Sequence, residues 1–354
     1  MTADTFNPDI ATVRPSRPPG QRLRRGAAKL ELLAWMLRPG FYSFGVFLGL
    51  AAWQAGSEPV WWPRMLAAVG VAVLLRGATN VLNDLLDREA DRVTAPYQPM
   101  AIGAVSPVDA GLWIVALAAA SLGLGAVAAG LKGLALAGCA AAGALGSTVL
   151  YSALKRTWWP NFLLFIPATL YLVVPLGILV GLQLASGEGA LYIGFSLLIA
   201  LATGVMTTLY DSERDGDAGA RTVATRLGAV AAFRLLAAFL VAAAGVVVAL
   251  ALADPGRRWA GLVTLAAGGL LYGRQLAAAV AVLRAKDEGA REDRRTALGP
   301  LAGLIHFVLT AYAACYWLWA FPLALASVPI FLLQRKVYLA RVVRGLLTRR
   351  ALGR

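Results

Sequence analysis

Long apolar runs alternate with short polar loops along this chain. Nine runs stand out, at roughly 30–55, 64–83, 109–129, 132–151, 161–185, 190–210, 228–253, 259–283 and 299–321. Each is about the ~20 residues that a helix needs to cross a bilayer. A tenth, roughly 322–334, opens at Pro322 and is too short for a full span. It reads as a tilted or re-entrant piece leading into the basic tail "RKVYLARVVRG". The pattern predicts an all-α polytopic membrane protein with nine transmembrane helices and a possible short tenth segment. Three regions follow: a disordered basic arm over 1–27, a membrane domain over 28–321, and a short apolar segment with a basic tail over 322–354.

Composition supports this pattern. The chain is 59% hydrophobic over 354 residues, with a mean hydropathy of +0.68, above the half-apolar content of soluble domains. A net charge of +14 on a soluble protein would suggest nucleic acid. Here the basic residues sit in short loops and at the ends, so topology explains them and nucleic acid is not an expected partner.

The arm carries Arg14, Arg17, Arg22, Arg24, Arg25 and Lys29 and has no apolar core, so it is not read as a signal peptide. It is placed in the cytoplasm, against anionic membrane lipid. The loops near 84–108, 152–160, 211–227 and 284–298 then share its side, with Arg88, Arg92, Lys155, Arg156, Arg214, Arg221, Arg226 and Arg284 among their cations. The opposite loops, "GSEPVWWPR", "GLK", "ASGEGA" and "DPGRR", are poor in Lys and Arg. Arg257 and Arg258 are the main violation. The expected location is a bacterial-type inner membrane. Cys139 and Cys315 lie inside apolar runs, belong to no metal-type cluster, and read as packing residues.

The acids gather in two loops on the cytoplasmic side. Arg76, Asn80, Asn83, Asp84, Asp87 and Asp91 recur at spacings of three and four, so they share one face of a helix and its continuation. Asp211 and Asp215 repeat a four-residue step in the second loop, with Asp217 near. Like charges one turn apart repel, and carboxylates near lipid are costly. Hard cations offset such a cost, and Mg²⁺ takes one or two carboxylates plus phosphate oxygens. Two facing ladders suit two Mg²⁺ ions sharing a diphosphate. The plainer alternative is a solvated loop whose acids pair with Arg88, Arg92 or Arg214. The stretch "DEGAREDRR" near 287 is read that way.

"RGATNVLNDLLDREAD" resembles the signature R-x-A-x-x-x-x-N-D-x-x-D-R-x-x-D of the UbiA superfamily of intramembrane prenyltransferases, the 4-hydroxybenzoate polyprenyltransferases and chlorophyll-synthase-like enzymes. "YDSERDGDAGARTVATRLG" resembles the second aspartate motif, "YSALKR" the Y-x-x-x-K motif, and "QPMAIGAVS" the segment after the first motif. The resemblance spans most of 30–320. It implies nine helices around a central cavity, and Mg²⁺-dependent loss of diphosphate from a polyprenyl diphosphate. The allylic cation then alkylates a lipophilic, often aromatic acceptor. It implies Asn83, Asp84, Asp87 and Asp91 at one metal and Asp211 and Asp215 at the other. Arg76, Tyr151, Lys155 and Asp215 would be catalytic. Arg76, Asn80, Lys155, Arg156, Tyr210 and Arg221 would contact substrate.

The chain departs from the family at Gln98, where an arginine is usual, and at Thr94 and Ala95. These departures leave the acceptor open. They keep a UbiA-type terpene cyclase, which needs no separate acceptor, as the alternative. A transporter using intramembrane acids would place them mid-span, whereas these cluster at one face.

Tyr171, Tyr210, Trp158, Trp159 and Tyr312 are candidates to stabilise a cation through their π faces, with packing or interfacial placement as the plainer reading. His306, the only histidine, is expected to be structural. Glycine- and alanine-rich faces in the third and fourth runs suit close helix packing. Pro167 and Pro175 suggest a kinked fifth helix lining a cavity.

Overall fold

The structure, a computed structural model, describes residues 62–94, 98–101, 103–155, 157–179, 185–217, 219–284 and 291–316, with Leu32, Leu33 and Met36. The expected basic arm, most of the first apolar run, the tenth segment and the basic tail lie outside the described residues. No strand occurs among those described. The helices are α1 (Trp62–Thr94), α2 (Pro107–Leu154), α3 (Phe165–Leu179), α4 (Gly187–Tyr210), α5 (Ser212–Asp217), α6 (Val223–Leu227), α7 (Ala229–Ala253), α8 (Pro255–Arg284) and α9 (Arg291–Ala314), with a 3₁₀ turn at Asn161–Leu164 before α3.

Five stretches among the described residues are long and apolar enough to cross a membrane: Leu66–Arg92, Pro107–Leu154, Asn161–Leu179, Gly187–Tyr210 and Ala229–Ala253. The protein is an integral membrane protein. Leucines and valines stand exposed along α2, α7 and α8, at Leu112, Val115, Leu131, Val241, Leu252 and Leu270. Such a surface is stable only against hydrocarbon.

Helix α2 contains the two apolar runs expected at 109–129 and 132–151. Its backbone leaves helical geometry at Ala129 and Gly130, where Gly130 takes φ 59°. A side chain there would be strained. The two arms fold back on each other. A Cβ on Gly125 would meet the Gly133 carbonyl oxygen at 2.6 Å, and one on Gly138 would meet Leu122. Lipid supplies no hydrophobic drive between helices, so close backbone approach through small residues does the packing. Ser106 opens α2 by accepting from the Asp109 amide at 3.2 Å, while the Ser106 amide donates to the Asp109 carboxylate at 3.3 Å. This reciprocal capping, with Pro107 next, sets where the helix begins.

Two packed halves result. In one, α1, α2 and α3 share a core that includes Val71, Leu75, Ala137, Ala140, Leu176 and Leu179. In the other, α4, α7 and α9 share a core that includes Phe195, Val205, Leu236, Val247, Ile305 and Tyr312. Helix α3, which contains Pro175, packs on α4 and joins them.

Arg258, which violated the charge rule, has a structural explanation. It donates to Glu188 at 2.5 Å, from α8 to α4, and its guanidinium lies 4.9 Å from the centre of the Tyr316 ring. A carboxylate and a π face satisfy it locally, so this cation does not report topology. The side chain of Arg257 lies outside the described residues. His306 is fully buried on α9, and its carbonyl accepts from Thr310 at 2.8 Å. Cys315 is buried and Cys139 exposed, and both are free thiols.

Candidate active site

The first acidic motif lies entirely within α1, whose helix runs unbroken from Trp62 to Thr94. Continuous helical geometry therefore carries Arg76, Asn80, Asn83, Asp84, Asp87 and Asp91 along one side. The Asn83 amide donates to the Asp87 carboxylate at 3.2 Å. Lys155, the C-cap of α2, forms an ion pair with the same Asp87 oxygen. Asp84 is almost completely buried, at 1% exposure. Arg76, Asn80, Asn83, Asp87 and Asp91 are partly buried. Arg88 and Arg92 turn instead to Glu89, at 3.2 and 2.7 Å, on the exposed side.

The second motif begins where α4 ends. Asp211 is the C-cap, with φ −102°, and is exposed. Asp215 is partly buried one turn later in α5, and its amide donates to the Asp211 carbonyl at 2.7 Å. Gly219 then takes φ 68°, and Thr222 caps α6 by accepting from the Thr225 amide.

The two motifs face one another. Burial pushes the Asp215 carboxyl up to about 7; Asp211 and Asp87 add to the rise, while Lys155 and a hydrogen bond from Thr222 oppose it. Tyr151, at the end of α2, is partly buried and lies within electrostatic range of Asp215, Asp87 and Asp211. Its ring meets Phe165 edge-on at 5.4 Å. Asp87, Lys155, Tyr151, Asp211 and Asp215 therefore form one cluster. Tyr210 is partly buried beside it in sequence. Arg221 is exposed, and no hydrogen bond or ion pair among the described residues ties it to the cluster. Arg156 lies outside the described residues.

The donors are carboxylate and amide oxygens, which suit a hard cation. Among the described residues no three His, Cys, Asp or Glu side chains gather tightly enough to hold a metal by themselves. Mg²⁺ seldom uses a closed protein cage and completes its shell with substrate phosphate and water. A carboxyl group pushed up to about 7 by burial, with its acidic neighbours adding to the rise, is one that a cation would relieve.

Along α1, toward its start, Arg76 lines a cavity whose wall also includes Phe165, Thr169, Leu172, Thr203 and Leu309. It sits where α1, α3, α4 and α9 meet, between the two packed halves. None of the five aromatics singled out as cation stabilisers is among its lining residues. Trp158, Trp159 and Tyr171 are exposed, and Tyr312 stacks on Phe195 at 4.3 Å. Phe165, Thr169 and Thr203 escaped sequence reasoning because an apolar run does not say which face points inward. The step from Thr203 to Thr207, polar groups one turn apart in an apolar helix, was the available signal.

The chain is similar to known proteins in sequence and in fold. The model of the UbiA prenyltransferase family matches residues 43–293. A digeranylgeranylglyceryl phosphate synthase from Methanopyrus kandleri is 30% identical over 248 residues, covering 69% of this chain and 86% of that protein. One from Natronomonas pharaonis is 39% identical over 93 residues, and the chain spans only 32% of its length. The fold is similar to a UbiA homologue from Archaeoglobus fulgidus bound to GPP and Mg²⁺, with TM-score 0.56, 17% identity, and coverage of 80% of this chain and 99% of that one. With the helical halves, the paired acidic motifs and these matches together, the chain belongs to the UbiA prenyltransferase family.

Proposed function

We propose that this protein ionises a polyprenyl diphosphate with Mg²⁺ and transfers the prenyl group to a lipophilic acceptor. One observation carries the reading. Asp87, Asp211 and Asp215 converge with Lys155 and Tyr151, and the Tyr151 ring packs on Phe165, which lines a mostly apolar cavity together with Arg76.

In this reading, Asn83, Asp84, Asp87 and Asp91 hold one Mg²⁺, and Asp211 and Asp215 hold the other. Bound Mg²⁺ neutralises the charge that develops on the departing diphosphate. Lys155, Tyr151 and Arg76 bind and orient diphosphate oxygens, with Asn80, Arg156, Tyr210 and Arg221 as further substrate contacts. In binding substrate, Lys155 exchanges its Asp87 partner for a phosphate oxygen. The apolar wall excludes water from the allylic cation, and Phe165 offers it a π face. We place nine helices around the cavity and the membrane domain over 28–321. The acidic end and the 1–27 arm face the cytoplasm of a bacterial-type inner membrane, with the 322–354 tail beyond the domain.

Both reported relatives are digeranylgeranylglyceryl phosphate synthases, so a prenylated glyceryl phosphate is the first acceptor to test. An aromatic acceptor such as 4-hydroxybenzoate is the second. Purified protein is incubated with Mg²⁺ and geranylgeranyl diphosphate, with and without each acceptor, and products are identified by mass spectrometry. The reading expects a prenylated acceptor and release of diphosphate that depends on both Mg²⁺ and acceptor. A cyclic hydrocarbon or alcohol from the diphosphate alone would establish the cyclase alternative, which the Gln98 departure keeps in play.

A further inference from the structure

Six threonines are buried among the described residues: Thr79, Thr203, Thr208, Thr222, Thr264 and Thr310. Four donate back to their own helix. Thr79 reaches the Arg76 carbonyl, Thr208 that of Val205, Thr264 that of Ala260 and Thr310 that of His306, each at 2.8 Å. This is how a threonine hydroxyl in an apolar helix is normally satisfied. Thr222 serves as a helix cap. Thr203 differs from all of them. It is 5% exposed and its hydroxyl has no hydrogen-bond partner among the described residues. The Ile199 and Ala200 carbonyls stand one turn back and are the natural acceptors, yet neither accepts a hydrogen bond from it. Its neighbour Thr207 does bond back, at 3.0 Å to the Thr203 carbonyl.

A buried hydroxyl without a partner destabilises the fold. Its place suggests what it is for. Thr203 lines the same cavity as Arg76. It lies eight residues before Asp211 on α4, about 12 Å along the axis from the acidic end at 1.5 Å per residue. In the transferase reading the diphosphate held by the acids already has Lys155, Tyr151 and Arg76 for its oxygens, so it does not call for a further hydroxyl from Thr203. A prenyl chain is hydrocarbon and offers a hydroxyl nothing. The remaining polar visitor to this cavity is the acceptor.

Building on the transferase reading above, we infer that Thr203 is a specificity-determining residue for the acceptor. Its hydroxyl hydrogen-bonds an oxygen of the acceptor's polar end inside the Arg76 cavity. A site built to hydrogen-bond an oxygen discriminates strongly against ligands that lack it. A threonine with no intrahelical commitment is free to do so without first breaking a bond.

The test compares wild type with Thr203→Val, which keeps the shape and removes the hydroxyl, and with Thr203→Ser, which restores it. Steady-state kinetics use geranylgeranyl diphosphate with geranylgeranylglyceryl phosphate or 4-hydroxybenzoate, whichever the wild type prenylates. T203V is expected to lower kcat/KM for the acceptor about tenfold and leave KM for geranylgeranyl diphosphate unchanged. T203S is expected to recover most of the loss. The melting temperature of T203V should equal or exceed wild type, because no bond in the free protein is lost. A wild type that prenylates an acceptor while T203V matches it, or loses affinity for both substrates alike, overturns this inference alone. A wild type that makes no acceptor-linked product overturns the transferase reading and this inference together.

Discussion

The two acidic motifs share a four-residue step but not a backbone. Asp87 and Asp91 ride on α1, an unbroken helix of 33 residues. Asp211 and Asp215 straddle the end of α4 and a six-residue helix, with Gly219 at φ 68° just beyond. The first motif is pre-organised: Asn83 and Lys155 both hold Asp87. The second depends on local turns, and its Asp211 is exposed. One wall of the site is thus fixed and the other adjustable. In the proposed reading a diphosphate enters and leaves the site, and such a division lets the side built on short turns supply the motion.

Removing one carboxylate from each side has the largest expected effect. Asp87→Asn and Asp215→Asn are each expected to reduce diphosphate release about 10²- to 10³-fold, with the melting temperature of D215N at least that of wild type. Either variant retaining full activity in a diphosphate-release assay would overturn the metal assignment. Next in size is Lys155→Met. It removes the Asp87 ion pair and a proposed diphosphate contact, and activity should fall roughly 10- to 100-fold. If the fixed wall needs that pair only to stay ordered, K155M would instead change melting behaviour and spare turnover.

The third test uses pH. The folded protein holds the Asp215 proton until about pH 7, whereas an unperturbed carboxyl releases it near 3.8. The metal-free protein should therefore lose stability as pH rises between those values, since the folded state binds the extra proton. Mg²⁺ needs the carboxylate, so its apparent affinity should weaken as pH falls through about 7. Mg²⁺ titrations by melting temperature at pH 6 and pH 8 should show this, and D215N should flatten it. The smallest expected effect is from Gly219→Ala. Its left-handed backbone carries a strain of about 1 kcal/mol with a side chain, so the adjustable wall should shift. A several-fold rise in the Mg²⁺ concentration for half-maximal rate is expected, with the cores and helix content unchanged by circular dichroism.

Much of the site was legible because helical spacing converts directly into a shared face. Asn83 and Asp87 at i, i+4 bond each other as that spacing requires. The outward turn of Arg88, Glu89 and Arg92 follows from the same arithmetic. The break between the third and fourth apolar runs was legible too, since Gly130 sits where α2 reverses. The sequence misled where charge stood in for position. Arg258 read as a topological exception, yet Glu188, 70 residues away, satisfies it. None of the aromatics chosen by type alone lines the cavity, whereas Phe165 does.

Sequence alone determined that the chain spans a membrane and that two acidic motifs recur at helical spacing. These are local properties, set by run length and by residues within a turn or two of each other. Only the tertiary structure decided that Lys155 of one segment meets Asp87 of another, that Asp215 faces them both, and that Arg76 and Thr203 share a cavity. Those relations depend on how helices far apart in the chain cross, and crossing is set by side-chain packing between them rather than by any pattern within one.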